Sequence, residues 1–145
     1  MRFLLVNYEY PPVGAGAGNA TAYIARSLAA LGHTPIVLTA AYGSLPRRCS
    51  VDGVDVIRVP AKRARADRSS LFEMATYVAS AALALPSVLR AEKVDAAIVF
   101  FSMPCGPLGL LARWWARVPY IISLRGGDVP GTEPSLRRIY SLFRP

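Results

Sequence analysis

Cysteine and histidine are scarce in this 145-residue chain, which has two of the first and one of the second. Cys49 and Cys105 stand far apart, form no Cys-x-x-Cys pair and have only His33 to join them, so a structural zinc site is excluded and no metal is expected. Reduced thiols in a cytoplasmic protein are the expectation. Acidic residues are also few, 9 against 17 lysines and arginines, which gives a net charge of +8 and a pI near 10.1. That balance favours an anionic partner, and charge alone does not separate nucleic acid, anionic lipid and phosphorylated substrates. No helix concentrates the basic residues and no nucleic-acid motif occurs, so nucleic acid is set aside.

Long hydrophobic runs are missing as well. The opening "MRFLLVNYEYPP" has too short an apolar run before Asn7 for a signal peptide and reads as a buried strand. The segment "SSLFEMATYVASAALALPSVLRAEK" is apolar over most of its length. Glu73, Ser80 and Pro86 interrupt it and make it a poor spanning helix, so a core helix or a helix lying on a membrane surface is expected. An apolar content of 53% and a mean hydropathy of +0.33 argue against disorder and for one domain with a real core.

What the chain does contain is a regular alternation of strand-like and helical patterns. Residues 2–7, 34–40, 54–60, 94–101 and 119–126 read as five strands. Residues 19–31 read as a helix with Ala20, Tyr23, Ile24, Leu28 and Leu31 on its apolar stripe, capped by Asn19 or Thr21 and closed by Gly32. Ser70 and Glu73 stand at capping-box spacing and start a long helix that Pro86 is expected to kink or divide. Residues 106–117 form a further short helix. Uniformly apolar strands alternating with helices predict an α/β fold, a Rossmann-like doubly wound parallel sheet covered on both faces.

Between the first strand and the first helix lies "YEYPPVGAGAGNATAY", with three alternate glycines. Glycine lets backbone approach a ligand, and the helix that follows offers unpaired N–H groups, so a phosphate is the natural candidate. A dinucleotide site is a poor fit. Six residues separate Asn7 from Gly14, the third fingerprint position is Asn19, and the second strand ends in Thr39 and Ala40 rather than an acid. A P-loop is excluded because no lysine follows Gly18. Two readings stay open on these residues alone: a strand-to-helix turn without ligand, and an open loop over a phosphate at the carboxyl end of the first strand.

The stretch "NYEYPPVGAGAGNATAYIARSLAALGHTPIVLTA" resembles the opening of the retaining glycosyltransferases of family four, in which Pro-Pro, a glycine-rich loop, a helix ending in Leu-x-x-x-Gly-His and a strand ending in Thr follow one another. "KVDAAIVF" and "PYIISLRGGDVPG" resemble later strands of that family. The resemblance implies the acceptor-side half of a GT-B fold, in which two Rossmann-like domains face across a cleft. Residues 1–145 would form the first domain, and the donor-binding domain would lie in further chain or in a partner. It further implies sugar transfer from a nucleotide-sugar to a glycan or lipid-linked acceptor with retained configuration, in polysaccharide or cell-envelope chemistry. The nucleotide-sugar serves as donor substrate and no cofactor is expected.

By position, Gly14, Gly16 and Gly18 would form the loop over the donor diphosphate, and Asn19 would start the helix beneath it. Arg125, Gly126 and Asp128 fall where many members carry His-Gly-x-Asp. Arginine is no general base at neutral pH but pairs bidentately with phosphate. No catalytic residue is assigned; Glu9, Asp128 and Cys105 are candidates only by their place near strand ends. "AKRARADR" sets Lys62, Arg63, Arg65 and Arg68 before the apolar helix, and Trp114 and Trp115 add interfacial aromatics. The two readings of that combination are a solvated basic loop next to a core helix, and a non-catalytic subunit of a split glycosyltransferase that binds a partner or the anionic inner face of the cytoplasmic membrane.

Overall fold

The computed structural model of the chain describes residues 1–126. It has strand β1 (Arg2–Val6), helix α1 (Gly16–Ala30), β2 (Thr34–Ala40), β3 (Arg48–Val51), β4 (Val54–Val59), α2 (Leu71–Glu92), β5 (Ala96–Phe100), α3 (Gly106–Ala116) and β6 (Tyr120–Ser123). The strands form one sheet in the order β3-β4-β2-β1-β5-β6. Five of them run parallel, and β3 pairs antiparallel with β4 at the edge.

That sixth strand is a correction to the expected five. Asp52 and Gly53 take φ of 53° and 75°, the left-handed pair that a two-residue hairpin needs and that Asp-Gly supplies at low cost. The hairpin signal "SVDGVDV" is present in the sequence, but residues 48–51 lie outside the five expected strands.

Helix α1 covers one face of the sheet, while α2 and α3 pack together on the other. Leu5, Val37, Val54, Val56 and Phe100 meet Ala22 and Ala25 of α1. Leu4, Val6, Ile36, Leu38 and Val99 meet Tyr77, Ala81, Leu85 and Leu108 of the opposite layer. Fully burying a side chain such as Leu85 contributes about 1.5–3 kcal/mol.

Helix α1 departs from its expected face. Its buried positions are Gly18, Thr21, Ala22 and Ala25, while Tyr23 and Leu31 are exposed. Small residues allow the helix to lie close to the sheet, and the Tyr23 ring finds its partner outside, under the Arg26 guanidinium at 4.9 Å. The helix also begins at Gly16, so Asn19 and Thr21 sit inside it rather than capping it.

Helix α2 runs unbroken from Leu71 to Glu92 through Pro86. Leu85, Val88 and Leu89 are buried on either side of the proline, and this packing carries the helix past the missing N–H. The capping box forms as expected. Ser70 N–H donates to Glu73 at 2.7 Å, the Glu73 N–H donates to Ser70 Oγ at 3.3 Å, and Ala64 N–H adds a third bond to the carboxylate at 2.7 Å.

These bonds, led by the Ser70 N–H and followed by that of Ala64, hold the Glu73 carboxyl below its ordinary range. A depressed carboxyl stabilises the fold above its unfolded pKa, and the contribution is lost as pH falls through the lower folded value. We expect the Ser70 and Ala64 amide resonances to titrate together below the usual glutamate range, and Glu73→Gln to remove that titration. Amide shifts that titrate at the ordinary glutamate pH would show the box to be open in solution.

Candidate functional site at the carboxyl edge of the sheet

After β1 the chain turns to one neighbour, β2, and after β4 it crosses to the other side of β1 to form β5. The carboxyl ends of β1 and β5 are therefore the switch point of the sheet, where open α/β folds leave a crevice for ligands. The glycine loop follows β1 and residues 124–126 follow β6, so both emerge at this edge. With one strand between β1 and β6, the two loops start about 10 Å apart, two inter-strand spacings of about 4.8 Å.

Polar residues at the end of β1 build the glycine loop. Asn7 is fully buried. Its amide donates to Thr21 Oγ1 at 2.7 Å and to Ala17 O at 3.3 Å, while its Oδ1 accepts the Glu9 N–H at 3.1 Å. Strand, loop and helix are thus tied through one side chain. Glu9 then folds under the loop, its Oε2 accepting the Ala15 N–H at 3.4 Å. This carboxylate, six residues back in sequence, holds the N–H of the N-cap residue Ala15, which has no side-chain cap to give.

Arg63 closes the arrangement from the opposite layer. Its side chain is 2% exposed and lies 3.8 Å from Glu9 Oε1. It donates to Tyr8 O at 3.2 Å, to Ala66 O at 3.2 Å and to Arg65 O at 2.9 Å. Ala66 O also accepts the Gly14 N–H at 2.7 Å. The loop of residues 60–70 is therefore clasped onto the glycine loop, and Arg63 leaves the basic surface to which the sequence assigned it. Two isolated loops in sequence form one body.

The three glycines differ in what they do. Gly14 has φ of +92°, and a Cβ there would meet the Glu9 side chain at 2.6 Å. Gly18 is buried, with Val13 O 3.0 Å from where its Cβ would be. Gly16 opens α1 with nothing within 4 Å. Of the three, Gly16 alone faces open space, and as the first residue of α1 its N–H is among those left without an intrahelical partner. Asn19 is exposed in the first turns of α1, with its N–H bonded to Ala15 O at 3.0 Å.

After β6 the Arg125 guanidinium lies over the Phe100 ring at 5.1 Å, and Gly126 has φ of +84°. Asp128 lies outside the described residues. Between the two loops, Phe101 at φ +68° sets its ring 5.3 Å from that of Tyr8. Beneath them Tyr77 OH donates to Leu38 O at 2.8 Å, and burial raises its pKa well above the ordinary value, so it remains a neutral donor. Cys105 is fully buried and Glu9 is occupied, so neither is placed as a nucleophile. Among the described residues no group of three His, Cys, Asp or Glu is arranged to hold a metal.

A family model for the glycosyl transferase 4-like domain matches residues 15–145. The chain belongs to the glycosyl transferase 4-like family. No curated protein matches the sequence. Among solved structures, a sucrose-phosphate synthase from Thermosynechococcus elongatus superposes with a TM-score of 0.68 at 13% identity, over 84% of this chain and 32% of the other. MurG from Acinetobacter baumannii gives 0.56 at 17%, over 95% and 39%, and a glycosyltransferase from Rickettsia africae 0.54 at 18%, over 98% and 34%. The chain thus spans about a third of these structures. At these identities the likeness is one of fold, the Rossmann-like architecture of GT-B glycosyltransferases.

Residues of this family member that the sequence did not single out for the loop are Asn7 and Arg63. A polar residue ending an apolar strand was the available signal for Asn7. For Arg63 none existed, because its partners are carbonyls fixed by folding. Removing one member of a buried pair leaves the other uncompensated, so Arg63→Ala should cost about 3–5 kcal/mol in urea denaturation. Glu9→Gln combined with Arg63→Met should cost less than the single change. Additive losses would show that the two side chains do not interact.

The glycines give a second test. Gly14→Ala forces a left-handed residue against Glu9 and should cost about 1–3 kcal/mol. Gly16→Ala should be neutral or stabilising by up to about 1 kcal/mol, alanine being the better helix residue. Thermal unfolding of the two variants decides it; equal losses would place Gly16 in contacts that this geometry does not contain.

Proposed function

We propose that the chain is the acceptor-side domain of a retaining glycosyltransferase, moving sugar from a nucleotide-sugar to a glycan or lipid-linked acceptor. The observation that carries this reading is the family match over residues 15–145 falling on a chain whose glycine loop and Arg125 loop leave the same carboxyl edge of the sheet, where open α/β folds form a ligand crevice. In the complete enzyme a second Rossmann-like domain, in further chain or in a partner, would hold most of the donor across that crevice.

The residues divide the work in physical terms. Gly16, with the N–H groups that open α1, offers partial positive charge to a diphosphate without side-chain obstruction. Arg125 supplies a full charge and a planar fork that matches phosphate oxygens. Asn7, Glu9 and Arg63 hold the loop in place, so its donors need no reorganisation when charge develops on the leaving group. Retention then rests on positioning and on the leaving diphosphate, with no protein nucleophile assigned.

Removing one such stabilising donor costs about 10²–10³ in rate, so a chain without the facing domain should give no turnover. A nucleotide-release assay on the purified chain over a panel of sugar nucleotides should read at background. Release should appear when a donor-binding domain is supplied, and Arg125→Ala should then lower it by about 10²-fold or more. Robust release by the chain alone would place the whole donor site within it and overturn the two-domain reading.

A further inference from the structure

The two helical layers of the sheet have different outer surfaces. Helix α1 turns Asn19, Arg26 and Ser27 to solvent, with Arg26 3.5 Å from Asp52. Helix α2 has no charged residue from Met74 to Leu89. Its solvent side runs through Leu71, Phe72, Ala75, Ala79 and Leu83, with Leu71 78%, Phe72 63% and Leu83 85% exposed. By length and composition α2 could cross a bilayer, yet its other side carries Tyr77, Ala81, Leu85, Val88 and Leu89 into the core.

Beside this face, α3 and its C-cap expose two aromatic rings together with the basic Arg113 and Arg117. Trp114 and Trp115 are 70% and 51% exposed. Trp115 and Ala116 line a surface pocket of about 220 Å³ with Pro86, Leu89 and Arg90 of α2. Basic groups stand at both ends of α2. At its start are Lys62, whose ammonium lies 5.6 Å above the Phe72 ring, and the exposed Arg65 and Arg68, which share the single carboxylate of Asp67 at 3.3 Å and 3.2 Å. At its end are Arg90 and Lys93, both exposed, while Glu92 is turned inward to Arg2 and Arg48.

We propose that the outer face of α2, with Trp114 and Trp115, docks in the plane of an anionic phospholipid bilayer. Apolar side chains enter the boundary of the acyl region, tryptophans sit at headgroup level, and cations at the two ends of a helix about 33 Å long meet lipid phosphates. Charge complementarity selects a lipid surface over a second copy of this strongly basic chain, which would bring like charges together. The core side of α2 stays packed, so the helix lies on the membrane and does not span it. Because α2 starts where the 60–70 loop clasps the glycine loop, docking brings the carboxyl edge to the headgroups. On the glycosyltransferase reading, that edge would receive an acceptor with a lipid anchor.

Vesicle sedimentation of the whole chain tests this without donor or acceptor, so its outcome is separate from that of sugar transfer. Vesicles rich in phosphatidylglycerol should bind the chain, and phosphatidylcholine vesicles should bind it weakly. Binding should collapse at about 1 M salt, where the Debye length is about 3 Å. Ala79→Glu with Leu83→Glu should lower binding at least tenfold with unchanged circular dichroism and thermal midpoint, since both positions are exposed. Lys62→Gln, Arg65→Gln and Arg68→Gln together should lower it about 100-fold, at about 1 kcal/mol per charge near the surface. Tyr23→Glu on α1 should change nothing. Equal binding to both lipids, binding that survives salt, no binding, or a concentration-dependent dimer abolished by Leu83→Glu would each overturn the proposal.

Discussion

A single buried guanidinium joins the parts of this molecule that meet at the carboxyl edge of its sheet. Arg63 reaches from the loop before α2 to the carbonyl of Tyr8 and the carboxylate of Glu9, and so couples the two helical layers across the end of the sheet. Burying such a group is expensive unless its donors find acceptors, and here Tyr8, Arg65 and Ala66 supply them from backbone. The geometry of the glycine loop is consequently a property of the folded domain rather than of its glycines.

That dependence explains the division of labour among neighbouring residues. Asn7 fixes the base of the loop through Thr21 and Ala17, Glu9 fills the space beneath Gly14 and Gly18, and only the outer rim at Gly16 remains for a ligand. A loop already satisfied on its inner side presents its remaining donors in one orientation.

The sheet imposes the second constraint. Reversal of strand order beside β1 brings the loops after β1, β5 and β6 to one edge of the sheet and sends α1 to the face opposite α2 and α3. The helix on one face has a single charged residue, Arg26, while α2 on the other face is free of charge from Met74 to Leu89 and exposes Leu71, Phe72 and Leu83.

Much of the fold was legible because its signals are local. Apolar runs such as "FLLV" and "AAIVF", the Ser70–Glu73 box and the Gly32 terminus each act within a few residues, and each appears where pattern alone puts it. Asp-Gly carries the β3–β4 hairpin equally locally, although β3 was not among the five expected strands. Other features were decided only when distant segments met. The rotation of α1 onto Gly18, Ala22 and Ala25 follows from how closely a helix can approach the sheet, and the continuity of α2 through Pro86 from packing on both sides of the proline. By itself the sequence determined the Rossmann-like alternation, the family and the place of the glycine loop. Which glycine faces outward, and which arginine is a clasp rather than a surface charge, was settled by tertiary contacts, because the acceptors that bury Arg63 exist together only in the folded chain.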